Sequence, residues 1–351
     1  MAIIHFLNVL EGDCHIIQHD SGRVSVIDVS NAYNSEDTPE EKAAKLIKDK
    51  EIKTRNFVPD GKINYNQKAN PDNPIEYLKK LKVSNIFRFI ITHPDMDHLD
   101  GIKDLYDEFS VSNTWDTNNK KELDLKTFPN KYNPDDWKFY TNLRDGKNQN
   151  TKRLTYNSGD SNQYYNEDNI KILCPSPSLV KQANEEGGDI HDLSYVILFE
   201  VPKKGGGNWK IIFSGDSHDN SWDYILKNYK DEVTNIDILI APHHGRDSDR
   251  NYDFLKTLTP SVTLFGNASS QHLAYNSYPN TRITNNQAGY VTIDISEDRL
   301  LVLVKNKAFA DNYRNKETRK WGEASYYKKY DAYALFQINA VKDLVGIKPK
   351  L

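Results

Sequence analysis

Apolar positions along the chain come in short runs separated by turn residues. The first three, Ile3–Leu10, Cys14–His19 and Arg23–Val29, have the length and β-branched content of strands. Glu11-Gly12-Asp13 and Asp20-Ser21-Gly22 lie between them and carry turn chemistry, so the chain opens on a β-meander. Pro39–Lys53 instead spaces Ala43, Ala44 and Ile47 at helical intervals behind a proline and acidic residues, which predicts a helix. The polar stretch Asn56–Asn73 predicts a loop, Pro74–Leu81 a second helix and Ile86–Thr92 a strand.

From Asn113 to Asn169 the periodicity fades. Twelve Asn fall in this stretch among many Lys and Asp, which predicts a polar insertion at about 112–170 between core elements. A lid facing the substrate is the functional alternative for a long segment of this kind. Apolar runs return in Leu193–Val201 and Trp209–Ser214, joined by the hairpin-type turn Pro202–Gly207. Ser221–Tyr229 and Tyr252–Leu258 predict helices; Ile236–Ala241, Ser261–Gly266, Tyr290–Ile295 and Leu300–Val304 predict strands. Strands in two batches, each followed by helices, suit two packed sheets with helices outside better than one doubly wound parallel sheet. No linker or internal repeat marks a boundary. A single domain over 1–351 is therefore expected, with an extension at about 299–351.

Composition narrows the class. At 37% hydrophobic and 11% aromatic residues the 351-residue chain is too apolar to be disordered. A net charge of -4 gives no global attraction to nucleic acid or anionic membrane, so any polyanion needs a local patch. No apolar run reaches the roughly 18–20 residues of a membrane span. The opening MAIIHFLNVLEGD lacks the basic start and small-residue cleavage site of a signal peptide. Cys14 and Cys174 are too few for a disulfide framework or a four-thiolate zinc site, and neither is needed as a nucleophile. A cytoplasmic protein without membrane insertion is expected.

The chemistry concentrates at strand ends. Thr92-His93-Pro94-Asp95-Met96-Asp97-His98 sets four possible metal ligands within six residues directly after an apolar strand. Capping of the following helix by Asp97 or Asp100 would account for one such residue, but not for four. Ser214-Gly215-Asp216 follows Ile211-Ile212-Phe213, and Pro242-His243-His244-Gly245 follows Ile238–Ala241. Gly188-Asp189-Ile190-His191-Asp192 precedes the strand from Leu193. Jointly these clusters hold enough ligands for two divalent ions.

Together with Phe6–Asp13 and Val26-Ile27-Asp28-Val29, these motifs resemble the metallo-β-lactamase superfamily. Within it they are most similar to the metallo-hydrolase domain of the ComEC competence proteins and its stand-alone bacterial relatives. The resemblance extends to Phe265-Gly266-Asn267 and Thr284–Gly289, covering about residues 3–110 and 188–296. It implies an α/β fold, an αββα sandwich of two mixed β-sheets with helices on the outer faces, and a dinuclear site at one edge. It further implies that His93 and Asp95 hold the first metal, Asp97 and His98 the second, and that Asp216 bridges them. His244 would complete the second site with His243 near the substrate, the two being competing candidates. The third motif falls on Asp192, two residues before Ser194, with His191 as its competitor. Asp13 and Asp28 would orient ligands. Asp95 stands where the wider superfamily has a second His, a harder ligand that widens metal choice from zinc towards manganese.

The implied reaction is hydrolysis by a metal-bound hydroxide, with Asp97, His243 and Asp216 as catalytic residues. Arg299–Lys329 holds nine Lys/Arg interleaved with five aromatics and followed by a sixth, Tyr330, the composition of a nucleic-acid surface. A solvated face with its aromatics packed inward is the competing explanation. Ser269, Ser270, Gln271 and His272 are candidate phosphate contacts. The expected activity is that of a phosphodiesterase or nuclease acting on nucleic acid. The alternatives are hydrolysis of a small ester, lactone, lactam or cyclic nucleotide, or a non-catalytic role with a protein partner in a bacterial defence or competence assembly.

Overall fold

The opening meander forms as its turns dictate. In a computed structural model describing residues 1–34, 63–148, 150–185, 187–267, 273–340 and 344–345, it comprises β1 (Ala2–Phe6), β2 (His15–Gln18) and β3 (Val24–Ile27), successively antiparallel. The helix expected over Pro39–Lys53 and the candidates Ser269, Ser270, Gln271 and His272 lie outside the described residues. The Pro74–Lys80 helix starts as its sequence predicts, with Asn73 accepting from the Ile75 amide and Pro74 in the first turn.

The remaining strands are β4 (Asn85–Ile90), β5 (Ser110–Trp115), β6 (Lys152–Leu154), β7 (Ile170–Cys174), β8 (Val196–Pro202), β9 (Asn208–Phe213) and β10 (Ile238–Ile240). They continue with β11 (Val262–Phe265), β12 (Thr281–Thr284), β13 (Val291–Ile295), β14 (Arg299–Val304), β15 (Tyr326–Tyr327), β16 (Ala332–Asn339) and β17 (Leu344–Val345). Among the described residues they build two mixed sheets. The larger runs β15-β16-β14-β13-β1-β2-β3-β4-β5-β6, with β17 on β16; the smaller runs β12-β11-β10-β9-β8-β7.

Three apolar clusters give the layering. Ile4, Phe6, Ile27 and Ile90 of the larger sheet meet Ile197, Phe199, Ile211 and Phe213 of the smaller one in a single core. Alternate residues point the other way, as strand geometry requires. Phe89 and Val26 pack under Ile75, Leu78, Ile102, Leu105 and Trp137, while Ile212 and Leu198 pack under Trp222, Ile225 and Phe254. The four layers are helix, sheet, sheet, helix. Among the described residues no helix is long and apolar enough to cross a membrane.

The segment at about 112–170 is woven into this frame. β5 and β6 extend the larger sheet in parallel from β4, and the helix Pro134–Arg144 buries Trp137, Tyr140 and Leu143. Its weak periodicity reflects short elements whose apolar residues are few but large. The Asp168 carboxylate, fully buried, accepts from Ser21, Arg23 and the buried Arg88, tying the end of this segment to β3 and β4.

The basic-aromatic stretch is partly packed into the fold, while Lys316, Lys320, Lys328 and Lys329 stay exposed. Arg314 is buried and donates to the carbonyls of Gly322, Trp321 and Leu335. Arg319 lies 3.8 Å over the Tyr313 ring, and Lys305 and Lys307 pair with Asp331 and Asp311. Phe309, Tyr313 and Tyr330 are buried. These groups are spent on the fold. β14 also stands five strand spacings from β4, about 24 Å, which separates the stretch from the ligand clusters.

Candidate metal centre

Strand polarity explains why the clusters meet. β3 runs parallel to β4, and β9 parallel to β10, while β8 is antiparallel to β9. The ends of β3, β4, β9 and β10 and the start of β8 therefore share one edge. The Tyr195 amide bonds the Thr92 carbonyl at 3.0 Å and closes the two sheets together there. The loop after β1 reaches the same edge and touches the 93–98 segment closely. A Cβ on Gly12 would come 1.7 Å from the Asp97 carbonyl oxygen, so only glycine fits.

Asp216 is the hub. Its Oδ1 lies 3.2 Å from His98 Nε2 and 3.6 Å from His244 Nε2; its Oδ2 lies 3.4 Å from His243 Nε2 and 3.7 Å from His93 Nε2. Asp97 stands 3.5 Å from His244 Nε2, and Asp95 stands 3.9 Å from His93 and 3.6 Å from His191. Among the groups of side chains spaced to hold a cation are His93, Asp95 and His191 on one side and Asp97, His98 and His244 on the other. Asp216 contacts both.

Hydrogen bonds aim the rings. The Thr92 hydroxyl donates to Asp28 Oδ2 at 2.6 Å and is left to accept from His93 Nδ1 at 3.1 Å, which turns a bare Nε2 towards Asp216. Asp28 takes His98 Nδ1 at 2.8 Å, and Asp13 faces His244 Nδ1 at 3.2 Å. Asp28 and Asp13 thus contact the His98 and His244 rings on the side away from Asp216. His243 and His244 both adopt left-handed backbone angles (φ 54° and 56°), a strain of about 1–2 kcal/mol each. Strain of this kind concentrates where function fixes the backbone.

The donor set fits divalent cations. His93 Nε2, His98 Nε2, His244 Nε2 and Asp216 Oδ1 are buried and make no hydrogen bond. Such atoms are costly unless something fills the space between them. Imidazole and carboxylate together suit zinc, manganese or iron.

Charge in the metal-free centre is set by burial against carboxylates. Burial pulls every one of these imidazoles down, and His93, next to His98, falls to about 3. At His98 the Asp216 and Asp28 carboxylates outweigh burial and raise it well above its usual range; at His244, Asp216 and Asp13 do the same. Both rings therefore carry protons at neutral pH that a cation must displace. With His191, which Asp189 and Asp95 raise to about 10 against burial, titration of metal-free protein with zinc is expected to release about three protons, read by calorimetry in buffers of different ionisation enthalpy. Affinity should weaken from about pH 8 to about pH 6. Binding heats independent of buffer would contradict this protonation.

The third motif differs from the Asp192 expectation. Asp192 accepts from Asn220 Nδ2 at 2.7 Å and from the Ser221 amide and hydroxyl at 3.2 Å, so its carboxylate is committed to the following helix Asp219–Val233. His191, on the same turn Ile190–Leu193, faces Asp95 instead. Ser194 accepts from the Asp216 amide at 3.2 Å and fixes the 214–216 loop. His93, Asp95, Asp97, His98, Asp216, His243 and His244 are brought together, whereas His272 lies outside the described residues.

Two further residues at the centre, His218 and Lys121, were not singled out by the sequence, and Asp189 appeared there only within the 188–192 cluster. Asp189 bonds both His191 and His218, and Lys121 pairs with Asp95. His218 lies two residues past Asp216 in Ser214-Gly215-Asp216-Ser217-His218, a spacing that could have marked it. Lys121 carried no signal, since it reaches the centre from the 112–170 segment. Arg144 donates to its carbonyl at 2.6 Å, and Asn184 braces the chain at Asn118 and Lys120.

No family model matches the chain, and no curated protein matches it. Solved structures similar to it include Igni18, described as a novel metallo hydrolase from the hyperthermophilic archaeon Ignicoccus hospitalis KIN4/I. That pair shares 12% identity over 84% of this chain and 100% of the other, with a TM-score of 0.43. A diphosphatase of the PhnP family shares 11% over 84% of this chain and 98% of the other (TM-score 0.42). The metallo-β-lactamase fold protein YhfI from Bacillus subtilis shares 10% over 81% of this chain and 96% of the other (TM-score 0.39). Likeness at this level leaves function to the chain's own residues.

Proposed function

We propose that the protein is a metal-dependent hydrolase with a dinuclear centre, acting on a phosphodiester. The observation that carries the metal centre is Asp216, whose carboxylate lies 3.2–3.7 Å from four imidazole nitrogens, those of His93, His98, His243 and His244. His93, Asp95 and His191 would hold one ion, Asp97, His98 and His244 the other. Two ions at such a site supply an activated water and neutralise charge on the substrate's oxygens.

The chain's own groups divide the remaining work. Asp97 can accept a hydrogen bond from the attacking water and so orient it. Lys121 is the group that favours an anionic substrate. It lies against Asp95 at the edge of the centre, where its ammonium would reach a phosphoryl oxygen of the substrate. Part of the 299–329 stretch is packed into the fold, so the phosphodiester class is argued from the centre and from Lys121. Zinc and manganese are the candidate ions.

The test is a panel of single-stranded DNA, double-stranded DNA, RNA, a cyclic nucleotide and an aryl phosphodiester, with zinc or manganese. Lactam, lactone and carboxylic ester substrates run beside it. Metal-dependent cleavage confined to phosphodiesters, and lost in Asp97→Ala, is expected. Turnover of only the lactam, lactone or ester arm would overturn the substrate class and keep the centre. Lys121→Met should raise KM for the phosphodiester about tenfold with a smaller change in kcat, the loss of one charged hydrogen bond. An unchanged KM would remove Lys121 from the substrate side.

A further inference from the structure

Asp189 sits outside both ligand groups that share Asp216, yet it spends both oxygens on histidines. Oδ1 lies 2.8 Å from His191 Nδ1, and Oδ2 lies 2.7 Å from His218 Nδ1. An ionised carboxylate only accepts, so both rings carry a proton on Nδ1. The rings of His191 and His218 stack at 4.8 Å, and those of His191 and His243 at 5.1 Å. A cation on the His191 side would leave that ring a single proton, the one its Nδ1 gives to Asp189.

For neutral rings the tautomers then follow in sequence. His191 presents a bare Nε2 to Asp95, 3.6 Å away. His218 presents a bare Nε2 to His243 Nδ1 at 3.4 Å. That nitrogen must therefore hold the His243 proton, with the Ser248 hydroxyl at 3.0 Å as a second acceptor. His243 Nε2 is left bare, 3.4 Å from Asp216 Oδ2, in a group with His191 and Asp216 that is spaced to hold a cation.

We propose that Asp189 is a positioning residue, which sets the tautomer of His191 directly and that of His243 through His218. His243 thereby becomes an additional ligand on the His93–Asp95–His191 side, while His244 serves the Asp97–His98 side. The inference rests on the metal centre proposed above and assigns the two adjacent histidines to different ions. Asp189, His191 and His218 are also spaced to hold a cation, but in this assignment the two Nδ1–H groups occupy both Asp189 oxygens. The effect of Asp189 and His218 runs through other rings.

The test uses the full chain with ¹⁵N-labelled histidine, loaded with zinc. In the parent, His218 and His243 should show the Nδ1-protonated pattern. Asp189→Asn offers one acceptor and one donor, so one of the two histidines it faces must reverse its tautomer. Zinc affinity on that side should fall about 10–100-fold in a chelator competition, with partial recovery in Asp189→Glu. His218→Phe keeps the Asp189–His191 bond, and should move the His243 signals while leaving those of His191 in place. Unchanged tautomers and zinc affinity in Asp189→Asn, with two ions bound by the parent, would overturn this inference alone. A parent that takes up no ion would overturn the metal centre and this inference with it.

Discussion

Asp216→Asn is expected to lose bound metal and to lower hydrolytic activity by about a thousandfold or more, the several kcal/mol that bound ions contribute. The size follows from its position. Its two oxygens face opposite ligand groups, Oδ1 towards His98 and His244, Oδ2 towards His93 and His243. An amide of the same shape has one acceptor oxygen and no charge. It cannot serve both sides, and it leaves the centre short of a carboxylate among four imidazoles. The carboxyl of Asp216 is 2% exposed and held well below the usual range, burial being outweighed by His244, His243, His98 and His93. Metal analysis and single-turnover kinetics read the two effects separately. Two retained ions, or activity within about tenfold of the parent, would remove Asp216 from the centre.

The second large effect is on stability. Asp168→Ala should lower the unfolding free energy by about 3–5 kcal/mol, because it leaves the buried Arg88 charge without its carboxylate. Arg88 is 1% exposed and donates to Ser25 Oγ and Asp168 Oδ2. Arg23 donates to the same carboxylate through Nε and Nη2. Asp168→Asn keeps the shape and some acceptor capacity and should cost less. Urea unfolding of the three proteins gives the comparison. A loss under about 1 kcal/mol in the alanine variant would mean that Arg88 finds water or another acceptor.

The same residue shows where the sequence was opaque. Asp168 closes a segment whose Asn-rich composition predicts a polar insertion, yet the segment supplies two strands, a helix with three large buried side chains, and this ion network. Period-2 and period-3.6 patterns register many small apolar contributions. They do not register a few tryptophans and tyrosines or a buried carboxylate among arginines. Lys121 was hidden for the same reason, since its approach to Asp95 depends on the path of that segment.

The layered sheets and most of the centre were legible because they follow from local rules. Ile86–Thr92, Trp209–Ser214 and Ile236–Ala241 are apolar runs that end in ligand-bearing turns, and parallel pairing of their strands brings the turns to one edge. Asp192 against His191 was beyond such reasoning. The residues are neighbours on one turn, and which side chain faces the centre is decided by Asn220 and Ser221 of a later helix. The composition of the basic-aromatic stretch did not show which of its groups are built into the fold. Lys and Arg counts do not reveal that Arg314 and Arg319 are held by carbonyls and a tyrosine ring.

Metal content by mass spectrometry, on the protein equilibrated with zinc or manganese and freed of excess, tests the central claim most directly. The parent should hold about two ions per chain, and the Asp97→Ala/His98→Ala variant should lose at least one of them with its fold intact by circular dichroism. A parent that binds no ion, or a variant that binds as many as the parent, would contradict a dinuclear centre at the strand ends.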